Sequence, residues 1–196
     1  TTKKRMEQVC TGCLAAAEQA LKEGARVDEA IRAHVVRANN SRYSKVNEIA
    51  KYLVLMFPQK GTVMTQCFGE TIVGMMLKEA KLAGKQLRLF CPETRPYFQG
   101  ARLTATVCHD MGFDVTVITD NMPAFVMQRE GVDVFTCAAD AICLDGYVVN
   151  KVGTFQIAIC ANHFGIPTFV TGAPDAGHPT KDLSLIHISE PTRQAE

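Results

Sequence analysis

No serine occurs from Lys45 through Leu183, and no G-x-S-x-G run exists anywhere in the chain. That removes the nucleophile elbow of a serine hydrolase. No strand-like run is followed by G-x-G-x-x-G, and G-x-x-x-x-G-K-[ST] is missing, so neither the dinucleotide nor the P-loop fingerprint is available. H-E-x-x-H is absent and the five histidines are dispersed. Charge of one sign is also lacking: 21 Lys and Arg against 20 Asp and Glu leave a net charge of +1. Without a basic run, nucleic acid has no electrostatic footprint to grip and is not expected as a partner. No apolar stretch reaches the roughly 18 residues that a bilayer span needs, so no membrane partner is expected either.

What is present describes an ordinary globular chain. Of 196 residues, 47% are hydrophobic and 21% charged, enough for one domain or one domain with an appendage. Eight cysteines are scattered through helical and strand patterns. They read as reduced thiols rather than a disulfide framework, which points to the cytoplasm. Cys10-x-x-Cys13 stands alone inside a helical pattern and reads as two small apolar residues one turn apart, so no metal site is expected.

Residues 6–38 carry helical periodicity with a stop at Gly24, Asn39-Asn40-Ser41 predicts a break, and a further helix runs from about Ser44 to Phe57. From Thr62 the pattern changes to short strands alternating with helices: strands over 62–65, 86–91, 114–119, 132–137 and 167–171, and helices over 70–82, 98–111, 122–130 and 150–164. These strand runs are apolar and β-branched almost throughout, as suits strands buried on both faces. The expected fold is α/β: an N-terminal helical region (1–59) followed by a Rossmann-like, doubly wound, mainly parallel sheet (60–181). Residues 182–196 break the composition of the rest and resemble translated sequencing-adapter read-through, or else a polar C-terminal tail. With no Met at position 1, a truncated N-terminal region is also expected.

In such sheets ligands bind outside the carboxyl ends of the strands. There the sequence places Cys67 after the first strand, Arg95 and Gln99 after the second, Asp120 and Asn121 after the third, and Asp140 after the fourth. Asn150 and Lys151 open the next predicted helix. A cysteine near helix N-termini can act as acid, base or nucleophile, or be an inert buried thiol. Asp140 lies among Ala138, Ala139, Ala141 and Ile142; it reads either as a proton-holding carboxyl or as a cap. Lys151 with helix N–H groups makes a phosphate cradle or is a solvated lysine. Asp120 reads best as the cap of helix 122–130.

The stretch Pro92-Glu93-Thr94-Arg95-Pro96-Tyr97-Phe98-Gln99-Gly100-Ala101-Arg102-Leu103-Thr104-Ala105 resembles the E-T-R-P-x-x-Q-G-A-R-L-T-A signature of the methylthioribose-1-phosphate isomerases. That family is homologous to the regulatory subunits of the guanine-nucleotide exchange factor for translation initiation factor two. Ile118-Thr119-Asp120-Asn121-Met122, Ala139-Asp140-x-Ile142 and Asn150-Lys151-x-Gly153-Thr154-x-Gln156 extend the resemblance, which runs from about Gly61 to Thr180.

The resemblance implies a cofactor-independent aldose–ketose isomerase acting on a phosphorylated sugar, assembled as a homodimer. It implies Cys67 and Asp140 as catalytic residues, with Gln99, Asn150 and Lys151 binding substrate. S-methyl-5-thioribose 1-phosphate, the methionine-salvage substrate, is the expected sugar; 5-deoxyribose 1-phosphate and ribose 1,5-bisphosphate are alternatives. A non-catalytic sugar-phosphate or nucleotide sensor like the exchange-factor subunits is the competing class. The family's T-H-C-N reads Thr65-Gln66-Cys67-Phe68 here, its G-A-D-R-I reads Ala138-Ala139-Asp140-Ala141-Ile142, and its Arg-Gly-Ala motif is not found in residues 1–60.

Overall fold

The computed structural model describes residues 2–143, 146–172 and 189–193, the first four and the last five of these by backbone alone. The chain forms two compact units, Thr1–Val46 and Asn47–Glu196. Helix α1 (Thr2–Glu23) and most of α2 (Val27–Leu55) make the first. The break expected at Asn39-Asn40-Ser41 does not occur, and α2 runs through it. All three side chains are exposed, so their polar groups meet water instead of competing for the backbone.

The second unit is built on a five-stranded sheet in the order β3-β2-β1-β4-β7. Its strands are β1 (Lys60–Met64), β2 (Gln86–Pro92), β3 (Asp114–Ile118), β4 (Val134–Ala138) and β7 (Thr168–Thr171). Every pairing is parallel. Side chains alternate across the sheet, so each strand feeds two cores. Val63, Leu89 and Val134 pack with Val73, Met76 and Leu77 of α3 (Glu70–Leu82) and with Cys108 of α4 (Ala105–Asp110). Their neighbours Met64, Phe90 and Phe135 pack on the other face. There they meet Val126 of α5 (Pro123–Val126) and Ile157 and Ala161 of α6 (Thr154–His163). Helices on both faces explain why these strands carry continuous apolar runs. The expected α/β, doubly wound parallel architecture is the observed one.

Several elements differ from expectation. The predicted helix 150–164 begins only at Thr154, because residues before it form a hairpin, β5 (Ala141–Ile142) and β6 (Tyr147–Lys151), paired antiparallel. Asp145-Gly146, flanked by Ala141-Ile142 and Tyr147-Val148-Val149, is the hairpin signal in the sequence. The helices expected at 98–111 and 122–130 each contain a π-helical turn, at Gly100–Thr104 and Met127–Gly131. Residues 189–193, inside the tail set aside as foreign, lie along β6 as an antiparallel strand, β8 (Ser189–Arg193). Such pairing uses main-chain groups that any extended segment offers to an open edge.

Candidate active site at the carboxyl rim of the sheet

From β1 the chain reaches β2 and β3 on one side, then returns to β4 on the other. The strand order therefore reverses between β1 and β4, the point where open α/β sheets leave a crevice. Cys67 follows β1 and Asp140 follows β4, so the two flank that crevice. Thr65 continues the β1 ladder with its N–H on the Phe90 carbonyl at 3.0 Å. Cys67 then turns into the left-handed region at φ 58°. Thr94 and Phe98, in the loop after β2, sit at φ 61° and 57°. These are the only positive-φ residues other than glycine among the described residues, and all three lie at this rim. Each costs on the order of 1 kcal/mol, which the surrounding bonds must offset.

Those bonds are specific. The fully buried Thr94 uses Oγ1 to accept the Cys67 N–H at 3.2 Å, and Thr104 Oγ1 donates to the Cys67 carbonyl. Asp120 does not cap the helix that follows it. Its Oδ1 accepts the Thr94 N–H and its Oδ2 the Arg95 N–H, both at 2.7 Å. The cap reading fails because α5 starts at Pro123, which has no N–H to offer, while two N–H groups of the β2 loop point at the carboxylate. Gly100 lets the loop fold back on its own strand: a Cβ there would stand 1.8 Å from the Pro92 carbonyl oxygen.

The Cys67 thiol is half-buried, and burial is the main reason it holds its proton more tightly than an ordinary cysteine. The Phe68 N–H and the positive charge of Lys151 oppose this, and the negative charge of Asp140 adds to it. Groups from the ends of β1, β4 and β6 thus act on one sulfur. Asp140 itself is exposed, with its N–H on the Val149 carbonyl at 2.8 Å. Its apolar neighbours do not enclose it: Ala141 turns into the small core beside Val149 and leaves the carboxylate outside.

Lys151 ends β6 rather than opening a helix, and its Nζ lies over the Tyr97 ring, 5.1 Å from the centroid. Asn150 is buried. Its Nδ2 donates to Thr154 Oγ1 at 3.0 Å, and its amide also reaches the Cys137 thiol, which burial pushes up to about 12. Gln99 has a buried Oε1 without a hydrogen-bond partner among the described residues. An acceptor in that condition suits a ligand hydroxyl or N–H. A shallow cleft open to solvent adjoins the rim on the α3 side; of the five candidate residues only Cys67 lines it, with Gln66, Ile72, Met76 and Cys137.

Three contributors were not singled out by the sequence: Gln66, Thr94 and Tyr97. Only the E-T-R-P run hinted at Thr94, and nothing in the spacing marks the other two. Among the described residues, no three His, Cys, Asp or Glu side chains gather to hold a metal ion.

Comparison with known proteins assigns a chain with this parallel sheet to a family. Residues 3–175 match the model of the initiation factor 2 subunit family, and the chain belongs to that family. It is 43% identical over 134 residues to the methylthioribose-1-phosphate isomerase of Fervidobacterium nodosum, covering 68% of this chain and 37% of that protein. It is 44% identical over 132 residues to the 5-deoxyribose 1-phosphate isomerase of Moorella thermoacetica, covering 67% and 36%. Among solved structures, 5-methylthioribose 1-phosphate isomerase from Pyrococcus horikoshii superposes with a TM-score of 0.67 at 30% identity, over 81% of this chain and 48% of that one. The delta subunit of translation initiation factor eIF-2B from A. fulgidus gives 0.70 at 25% identity, over 91% and 63%. The chain spans less than half the length of the curated isomerases it matches.

Proposed function

We propose that this rim is the active site of a cofactor-independent sugar-phosphate isomerase converting an aldose 1-phosphate to the ketose 1-phosphate. S-methyl-5-thioribose 1-phosphate, giving S-methyl-5-thioribulose 1-phosphate in methionine salvage, is the substrate we favour; 5-deoxyribose 1-phosphate and ribose 1,5-bisphosphate are the nearest alternatives. The observation that carries the reading is that Cys67 after β1 and Asp140 after β4 flank the switch-point crevice, with Lys151 at the end of β6; the charges of Asp140 and Lys151 bear on the Cys67 thiol in opposite senses. In the net reaction the C1–ring-oxygen, C2–H and O2–H bonds break, while a second C1–H bond, a hydroxyl on the former ring oxygen and the C2=O double bond of the ketose form. Phosphate on the anomeric oxygen prevents ordinary ring opening, so proton transfer must come from the protein. Cys67, a thiol that keeps its proton at neutral pH, serves transfer at C1 and C2. Asp140 serves the ring oxygen and the sugar hydroxyls. Lys151 holds the phosphate with Asn150 beside it, and Gln99 accepts from a sugar hydroxyl.

A non-catalytic sensor is the second reading, favoured by the likeness to the eIF-2B delta subunit over 91% of this chain. The presence of both Cys67 and Asp140 at one crevice weighs for the enzyme. All eight cysteines are free, which supports a reducing, cytoplasmic setting, and we propose a homodimer as the working assembly. The test is NMR of the purified protein with S-methyl-5-thioribose 1-phosphate, following ketose formation. Turnover that falls at least ~100-fold in both Asp140→Asn and Cys67→Ala is the expected result. Tight binding without turnover would support the sensor instead.

A further inference from the structure

Gln66 is only 4% exposed although it sits beside the half-open Cys67. Its side chain does not stay with its own loop. Nε2 donates at 3.0 Å to the carbonyl of Val152, the residue between Lys151 and Gly153. The same turn is shaped to receive it. Gly153 adopts φ 97°, and a Cβ there would come within 3.0 Å of Gln66 Nε2. Thr94 Oγ1, which accepts the Cys67 N–H, also lies 3.5 Å from Gln66 Oε1, although its hydrogen is better placed for the Pro92 carbonyl at 3.1 Å. A buried amide therefore joins the turn that carries the thiol to the turn that carries the lysine. These turns follow β1 and β6, which lie in different sheets and share no strand pairing.

We propose that Gln66 is a positioning residue: its clamp on the Val152 carbonyl sets the distance between the Cys67 thiol and the Lys151 ammonium. Backbone hydrogen bonds of the main sheet locate Cys67, and those of the hairpin locate Lys151. The Gln66 amide is a direct side-chain bond between the two turns. Without it, the lysine turn can relax away from the thiol, and a small misplacement at a proton-transfer site is costly. The inference rests on reading Cys67 and Lys151 as parts of one site, but its test does not depend on isomerase activity.

The probe is iodoacetamide, with alkylation at Cys67 followed across pH by peptide mass spectrometry in the purified protein. The groups that bear on this thiol are Lys151 at the end of β6, Asp140 after β4 and Cys137 on β4. Gln66→Met keeps the length and packing of the side chain but cannot donate; Gln66→Leu likewise cannot donate and adds no charge beside the thiol. Both should alkylate Cys67 roughly threefold more slowly near pH 8, because the lysine charge that favours the thiolate has receded. Adding Lys151→Met to Gln66→Met should then change the rate less than Lys151→Met does alone, the mark of two residues acting through one contact. In the isomerase assay, kcat should fall by about 10- to 100-fold with KM changed much less. Unchanged alkylation with additive effects overturns the proposal even where turnover is present. Slowed, non-additive alkylation without turnover sustains it and counts against the isomerase reading alone. Should Gln66→Met fail to fold, the Gln66→Leu profile decides the matter by the same criterion.

Discussion

Asp120 grips Thr94 from the end of the neighbouring strand. One carboxylate oxygen takes the Thr94 N–H at 2.7 Å and the other takes the Arg95 N–H at the same distance. Thr94 in turn supports Cys67 through its hydroxyl, so a residue after β3 controls a residue after β1 by way of the loop after β2. The link spans three consecutive strands of the sheet and uses no water-exposed ion pair.

Removing that carboxylate should loosen the loop rather than unfold the sheet. Asp120→Ala leaves two N–H groups without their acceptor, and bonds to a charged group are worth about 1.5–3 kcal/mol each when buried and less at a wet rim. A loss of about 2 kcal/mol in urea denaturation is expected, with Asp120→Asn losing about half as much because one oxygen still accepts. Substrate turnover should fall in both. A midpoint unchanged in Asp120→Ala would mean that the loop is held elsewhere.

The ionisation of Cys67 should respond in opposite directions to its two charged neighbours. Burial raises the thiol, so alkylation by iodoacetamide is slow at neutral pH and grows as pH climbs past the ordinary cysteine range. Lys151→Met removes the charge that favours the thiolate and should move the alkylation profile to higher pH. Asp140→Asn removes the charge that disfavours it and should move the profile to lower pH. Shifts of the same sign in both variants would show that the two side chains do not both act on the sulfur by charge.

Gly100 should tolerate no side chain. A Cβ at 1.8 Å from the Pro92 carbonyl oxygen lies far inside van der Waals contact, and the obstacle is backbone rather than a movable side-chain tip. Gly100→Ala must displace either the end of β2 or the π-helical turn, at a cost of about 1–3 kcal/mol or more. Chemical denaturation measures the cost directly. Wild-type stability in this variant would show that the loop has room the structure does not display.

The strands and the rim were readable because burial on both faces demands uninterrupted apolar runs, and Val132 through Cys137 or Leu87 through Cys91 supply them. Cys67 and Asp140 were readable as rim residues for the same reason: each follows such a run within a few positions. Asp120 was misread because a cap is a local inference. Its true partners are some 25 residues earlier, and nothing near Asp120 in the chain announces them. The β5–β6 hairpin was passed over although Asp145-Gly146 marks it, since Asn150-Lys151 also reads as the opening of helix 150–164. The break expected at Asn39-Asn40-Ser41 failed for a related reason, as local preference yields when polar side chains can reach water.

The order of apolar runs and turn residues was enough, taken alone, to determine a layered α/β domain with its chemistry at the strand ends, because periodicity and burial are properties of each segment. Which thiol meets which charge was decided only when the chain folded. The Gln66–Val152 clamp and the Asp120 grip both join segments far apart in sequence. Contacts of that kind arise from how the sheet and the hairpin are set side by side, and no single stretch of residues encodes them.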